Sequence, residues 1–334
     1  MSHLEIRTAK AEDFEKVHKF IKMHWDGNPL YARYPEMMKY HHLDGENLNF
    51  VIAQEEGEIK GILGYIKYSQ EERFDIGTAV WKTISSTHPL LGLEILDYLD
   101  KNVDTRICLG CGTKPQAMPL VKYLGWHVDY LNHYYRLADK EVYKVAVVNH
   151  KKILPVKETK YTLILIESIA DLRQKFDATK YKAKKPYKDS GYIENRYFKH
   201  PMYQYKVYGI GVSEGEFSSI IVTREITQDG TKLLRIVDFV GEINDIKNLS
   251  MPIQKLMDKA GYEYVEFYNY GISEEIMEEA GFVRRTVDDS NIIPCYFEPY
   301  EQANVEISIV TTDSDGICIF KGDADQDFPR PIKE

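Results

Sequence analysis

The sequence predicts an α/β (α+β) chain of two tandem domains, each a mixed twisted sheet flanked by helices. Three observations carry this expectation. Residues 49–126 and 205–282 run through the same order of hairpin, strand, helix, strand, short helix and a glycine followed by an aromatic residue. Both hairpins turn on an acidic, glycine-bearing segment, Glu55-Glu56-Gly57-Glu58 and Ser213-Glu214-Gly215-Glu216. At 334 residues the chain is long for one core. The expected division is 1–140 for the first domain, 141–160 for a linker and 161–334 for the second.

Each element follows from local pattern. Leu4–Arg7 reads as a short strand, and Thr8 or Glu12-Asp13 opens a helix through Phe14, Val17, Phe20, Ile21 and Trp25. The stretch from His24 to Leu43 is dense in Trp, Tyr, Arg, His and Pro. It is expected as a lid over an acceptor site, against the plainer reading of an aromatic surface loop with one or two helical turns. Asn49–Ala53 and Ile59–Ile66 make the first hairpin. Thr78–Ile84 reads as the next strand, and 85–92 leads into a helix at Leu93–Leu99. Arg106–Leu109 is a short apolar run, hence a buried strand. Pro115 suits the first turn of a helix, where its missing N–H is not needed; Ala117, Leu120, Val121 and Leu124 share a face, and Gly125 ends it. A strand restarts at Trp126.

Past Leu137 the pattern begins again. Val142–Val148 and Tyr161–Glu167 are β-rich, and Ser168–Asp171 opens a helix. From Tyr181 to Tyr205 tyrosines interleave with Lys182, Lys184, Lys185, Lys188, Arg196 and Lys199. Such a loop suits a phosphate and a ring on one ligand; the plainer reading is a solvated linker. Tyr205–Val212 and Phe217–Ile226 form the second hairpin. Leu233–Val240 is a strand, Ile246–Ala260 an amphipathic helix ending at Gly261, Tyr262–Tyr268 a strand, and Glu274–Ala280 a short helix before Gly281-Phe282.

Composition narrows the function classes. Apolar content of 43% and charged content of 28% fit a globular protein. No apolar run reaches membrane-spanning length and the N-terminus lacks signal-peptide regions, so a cytoplasmic protein without membrane insertion is expected. A net charge of −9 argues against generic nucleic-acid binding. Cys108-x-x-Cys111 sits on the buried strand, with only Cys295 and Cys318 besides; two small buried residues are expected rather than a zinc or redox pair. Asp323-x-Asp325-x-Asp327 imitates an EF-hand opening, but Phe328 replaces the required glycine. A surface tail or strap is expected, and no metal site.

The spacing Ala117-x-x-Leu120…Gly125-Trp126 resembles the A-x-x-L-Y-x-x-x-G-F signature of the GNAT acyl-CoA N-acyltransferase superfamily. In that family the preceding strand splays from its neighbour and the pantetheine arm lies in the gap. Here Val121 stands where the family carries a tyrosine, and Tyr123 is two residues late. The family's glycine loop falls on Ser85–Gly92, where only Gly92 is kept; Leu90 and Thr87 replace the earlier glycine and the basic residue. The corresponding segment of the second copy, Gly241-Glu-Ile-Asn-Asp-Ile-Lys-Asn248, is acidic, so the first domain is expected to keep the donor and the second to shape the acceptor site.

The whole-chain order is similar to tandem-GNAT enzymes that acylate a nucleotide-linked amino sugar in bacterial surface-polysaccharide synthesis. The resemblance implies acyl-CoA as cosubstrate (acetyl-CoA or a hydroxyacyl-CoA) and a nucleotide-linked amino deoxysugar as acceptor, held between the domains. Donor contacts would come from Ile84, Thr87, His88, Leu90, Leu91, Gly92 and Lys114. Acceptor contacts would come from Trp25, Tyr40, Asn195, Arg196, Tyr197, His200, Tyr203 and Arg235, with Arg196 on phosphate. His42, His200 and Asp238 are the candidate bases. A peptidoglycan-type aminoacyltransferase and a non-catalytic sugar-nucleotide-binding protein remain as alternatives.

Overall fold

The computed structural model describes residues 4–25 and 29–323; Asp325, Asp327 and Phe328 of the acidic C-terminal motif lie outside them. The chain divides into two compact units. One holds the residues up to Asp129 with Ser308–Asp315, the other Tyr130–Ile307 with Gly316–Gly322. This differs from the expected division at 140 and 160.

In chain order the first part runs β1 (Leu4–Lys10), α1 (Phe14–His24), α2 (Leu30–Arg33), α3 (Pro35–His42), β2 (Leu43–Asp44), β3 (Asn47–Glu55) and β4 (Glu58–Lys67). Then come β5 (Phe74–Thr83), α4 (Leu91–Asn102), β6 (Thr105–Cys111), α5 (Met118–Tyr123), β7 (His127–Tyr130) and β8 (Asn132–Leu137). Further on lie β9 (Thr162–Ile166), α6 (Ile169–Lys175), α7 (Ser190–Ile193), β10 (Lys206–Gly211), β11 (Ser219–Gln228) and β12 (Thr231–Gly241). The chain closes with α8 (Ser250–Ala260), β13 (Tyr264–Tyr270), α9 (Glu274–Glu279), β14 (Val283–Arg284), β15 (Tyr296–Phe297), β16 (Tyr300–Glu301), β17 (Ser308–Thr311) and β18 (Ile319–Phe320).

In the first unit the sheet order is β1-β3-β4-β5-β6-β17-β7, with β2 beside β3. β5 and β6 pair in parallel; the pairs β1–β3, β3–β4, β4–β5 and β6–β17 are antiparallel. α1 buries Phe14, Val17, Phe20 and Ile21, the expected stripe. α4 buries Leu91, Ile95, Leu96 and Leu99 into a core with Leu63, Ile76, Cys108, Val121 and Trp126. The 24–43 stretch is helical for most of its length rather than an open loop. β7 does not lie next to β6, because β17 from the far end of the chain takes that place.

The second unit has the order β14-β8-β13-β12-β11-β10-β9, with β18 beside β13. Here β12 and β13 are parallel and their other neighbours antiparallel. α8 packs Ile253 and Met257 on Phe267 and Leu234. It stops at Gly261, whose φ of 71° suits glycine and whose N–H returns to the Met257 carbonyl at 2.8 Å. The 181–205 stretch is not an open loop. Asp189 caps α7, which runs on into a π-helical turn at Glu194–Phe198. No helix among the described residues is long and apolar enough to cross a membrane.

Candidate active site

Two parallel strands separate in the middle of the first sheet. β5 pairs with β6 from Phe74↔Thr105 to Thr78↔Gly110 and no further. A bulge lies on the opposite edge of β5: Leu63 faces Trp81 while Gly64 faces Ala79, which leaves Val80 unpaired with β4 at a φ of 59°. A β-branched residue rarely adopts that conformation, so the surrounding sheet imposes it. Beyond the bulge β5 stays on β4, with the Ile84 N–H on the Lys60 carbonyl at 2.9 Å. The strands fork, and no described strand pairs in the gap. Gly110 permits the close approach at the fork, because a Cβ there would lie 2.4 Å from Thr78 Oγ1 and 3.1 Å from Val310 Cγ2. Backbone N–H groups at such a bulge are rigid donors for an oxyanion.

α4 begins beside the fork. Its first turn has no side-chain cap, and the Trp81 ring lies under Gly92, 3.5 Å from where a Cβ would be. A bare helix N-terminus attracts anions. The loop before it is already engaged, however. Thr87 gives both its N–H and its hydroxyl to Glu55 Oε1, at 3.1 and 2.7 Å, and the His88 N–H goes to Ser86 Oγ at 2.9 Å. Glu94 stands in the first turn, 3.3 Å from His88 Nδ1. Two carboxylates therefore oppose the phosphate role expected of Thr87 and His88. Leu91 points into the core, Leu90 is exposed, and Lys114 is exposed in the turn after β6. Val121 is buried and Tyr123 is 86% exposed, so α5 offers no phenol toward the core.

The candidate bases fare differently. His42 is fully buried, with Nδ1 on the Tyr65 carbonyl at 3.0 Å and Nε2 on the Tyr31 hydroxyl at 3.1 Å. Burial pushes its imidazole down to about 4, so it is neutral and shielded. Asp238 is buried too. Lys188 Nζ at 2.6 Å, the Tyr197 hydroxyl at 2.5 Å and the Phe239 N–H at 2.8 Å all donate to its carboxylate. Both residues are corrected from bases to buried structural groups. His200 keeps partial exposure, and its Nδ1 accepts from the Tyr203 N–H at 2.9 Å.

In the second unit the corresponding fork is closed. β12 pairs with β13 only over Leu234–Ile236, and Val237 is skipped between the Ile236↔Thr223 and Asp238↔Val222 pairs. β18 lies in the gap. Phe320 and Ile319 pair with Asn269 and Tyr270, and the Gly322 N–H reaches the Val237 carbonyl at 2.9 Å. β18 thus takes the position that no described strand takes between β5 and β6.

The expected acceptor residues are scattered. An open groove of about 690 Å³ in the second unit is lined by Tyr197, His200, Tyr203, Tyr205, Lys206 and Arg224. His200 stacks on Tyr203 with centroids 5.2 Å apart, and the Arg224 guanidinium lies 3.9 Å from the same ring. Glu298 accepts from the Tyr203 hydroxyl at 2.9 Å. Asn195 is exposed on the π-helical turn. Arg196 is corrected: it is 3% exposed, donates to Tyr205 at 2.8 Å and to the Gly322 carbonyl at 3.5 Å, and faces no open phosphate site. Arg235 is equally buried against Glu266 and the Cys295 carbonyl. Trp25 and Tyr40 belong to the first unit, where Lys82 of β5 lies 5.9 Å from the Trp25 ring. A cavity of about 40 Å³ beside Gly241 collects Lys184, Lys185 and Lys188.

Cys108 and Cys111 are buried and unlinked, and burial pushes the Cys108 thiol well up. No metal-ligand cluster occurs among the described residues. Sequence reasoning missed the Val80 bulge, Glu55, Arg224 and the two late strands. A bulge has no residue signature, and β17 and β18 are too short to show a period.

No family model matches the chain, and no curated protein matches it. Solved structures do. A GCN5-related N-acetyltransferase from Anabaena variabilis superposes with a TM-score of 0.54 at 10% identity, over 92% of this chain and 72% of that one. A conserved protein of unknown function from Enterococcus faecalis gives 0.54 at 9% identity over 92% and 72%. A GCN5-related N-acetyltransferase from Kribbella flavida gives 0.52 at 10% identity over 93% and 71%. The fold, with two mixed sheets flanked by helices, is that of the GCN5-related N-acetyltransferases.

Proposed function

We propose that the protein transfers an acyl group from acyl-CoA to an amine, with the donor's pantetheine arm in the fork between β5 and β6. The observation that supports this is the asymmetry of the two forks, one open and one filled by β18. A thioester supplies an activated carbonyl, so placement and oxyanion stabilisation account for much of the acceleration. Backbone N–H groups around Val80 would face the developing charge, and the α4 N-terminus would take the donor's phosphates.

The finer reading takes the acceptor as a nucleotide-linked amino deoxysugar. Its support is the groove of the second unit, where the His200–Tyr203–Arg224 stack offers flat faces to a ring. We place the protein in the cytoplasm, where thiols such as those of Cys108 and Cys295 remain reduced. A second reading, sugar-nucleotide binding without catalysis, is favoured by Glu55 and Glu94 at the phosphate loop.

Hydrogen exchange with and without CoA tests the donor site. Protection is expected in Val80–Ile84 and the first turn of α4. Protection confined to β12 and α8 would refute the assignment, and no CoA binding at millimolar concentration favours the second reading.

A further inference from the structure

A carboxylate reaches the groove of the second unit from a segment that does not line it. β15 and β16 form a hairpin of two pairs, Tyr296↔Glu301 and Phe297↔Tyr300, with Glu298 and Pro299 at its tip. The hairpin is a sheet of its own. Its base is anchored: Tyr296 is buried, the Phe297 and Tyr300 rings stack 5.8 Å apart, and both rings pack on the core around Tyr135, Tyr264 and Ile293. The tip is exposed.

The two oxygens of Glu298 go to two residues of the groove. Oε2 accepts from the Tyr203 hydroxyl at 2.9 Å, and Oε1 lies 3.7 Å from Nη1 of Arg224. The Arg224 side chain is 9% exposed and the Glu298 side chain 48%. A guanidinium that deep requires an anion beside it. A half-exposed carboxylate, farther away than the roughly 2.7–2.9 Å of a charge-assisted hydrogen bond, is held weakly there. Other carboxylates on the groove do not take its place. Glu225 is held by Lys232 at 3.0 Å and by the Tyr262 hydroxyl at 2.8 Å, and Glu167 is exposed, where solvent screens it. Lys206, exposed at the start of β10, adds a second cation to the lining.

We propose that Arg224, the Tyr203 hydroxyl and Lys206 form a phosphate subsite, and that Glu298 is the internal oxyanion that fills it until a phosphate ester enters; this rests on the sugar-nucleotide reading above and gives the ligand's phosphate its place. A phosphate offers more oxygens and more charge than a carboxylate, so it outcompetes Glu298 for the same donors. Displacement moves only the exposed tip into solvent, while the anchored base of the hairpin stays. A nucleoside without phosphate has nothing with which to displace the carboxylate, so the tip also selects for phosphorylated ligands.

Calorimetric titration with uridine diphosphate glucosamine, inorganic pyrophosphate and uridine reads the subsite without turnover. Glu298→Gln keeps an oxygen for the Tyr203 hydroxyl and removes the charge. It is expected to tighten uridine diphosphate glucosamine and pyrophosphate about three- to tenfold and to leave uridine unchanged. Adding Arg224→Lys is expected to cancel the gain, because an ammonium does not reproduce the guanidinium fork. Should the double variant not fold, Glu298→Gln alone decides. Equal affinity of the unsubstituted protein and Glu298→Gln for both phosphate probes overturns the subsite and leaves sugar-nucleotide binding standing. A gain for uridine as large as for the phosphate probes overturns it too. A gain for pyrophosphate, with no binding of uridine diphosphate glucosamine, upholds the subsite and removes the sugar-nucleotide reading. Binding of neither phosphate probe by either protein removes both.

Discussion

Thr87 gives its backbone N–H and its hydroxyl to the same oxygen of Glu55, 3.1 and 2.7 Å away. A carboxylate thus occupies the donors that a phosphate would use. Glu55→Gln keeps an accepting oxygen for Thr87 and removes the charge. We predict CoA binding tightens roughly three- to tenfold, since a unit charge a few ångströms from an anion near the surface is worth on the order of 1 kcal/mol. Calorimetric titration with CoA checks it. Equal affinity in both proteins would place the pyrophosphate elsewhere.

The fork depends on Gly110. A methyl there would press on Thr78 Oγ1, so Gly110→Ala is predicted to destabilise by about 1–3 kcal/mol. Removing the opposing hydroxyl with Thr78→Ala should restore much of this loss. The double-mutant cycle in urea measures the coupling. Additive effects would show that the two side chains do not meet.

His42 makes stability depend on pH. Its folded-state value of about 4, set first by burial, lies below the 6.5 expected of an unfolded chain. The unfolded state binds more protons between those values, so stability is full above pH 6.5 and is lost as pH falls toward 4. The span corresponds to about 3 kcal/mol at most. Urea unfolding from pH 7 to pH 4 should show this slope, and His42→Gln should flatten it even though the variant is less stable throughout.

Lys188 and Asp238 form a buried ion pair at 2.6 Å, with both side chains almost wholly inaccessible. Lys188→Met strands the carboxylate and is predicted to destabilise by about 3–5 kcal/mol. Lys188→Met combined with Asp238→Asn should lose less than Lys188→Met alone. If instead Asp238→Asn left stability intact and abolished activity, its assignment as a structural group would fall.

Tyr203 meets both His200 and Arg224 in the groove. Tyr203→Ala is predicted to weaken binding of a sugar nucleotide about tenfold, in line with about 1–3 kcal/mol per stacked base. CoA affinity should be unchanged. Titration with uridine diphosphate glucosamine reads the first and titration with CoA the second.

Local pattern determined much of this protein. The amphipathic stripe of α1, the stop of α8 at Gly261 and the repeated hairpin-to-helix order are short-range features, because side-chain periodicity and glycine chemistry act over a few residues. Tertiary structure decided the rest. β17 enters the first sheet about two hundred residues from its partner β6, and β18 fills the second fork about fifty residues from its partner β13, separations across which no sequence period runs. Arg196 and Asp238 looked like loop and strand-end functional groups, and their burial by Tyr205, Gly322, Lys188 and Tyr197 came only with packing. His41 and His42 are adjacent and chemically identical in sequence. Packing distinguishes them: His42 meets the Tyr65 carbonyl, and the Tyr31 hydroxyl lies between the two rings.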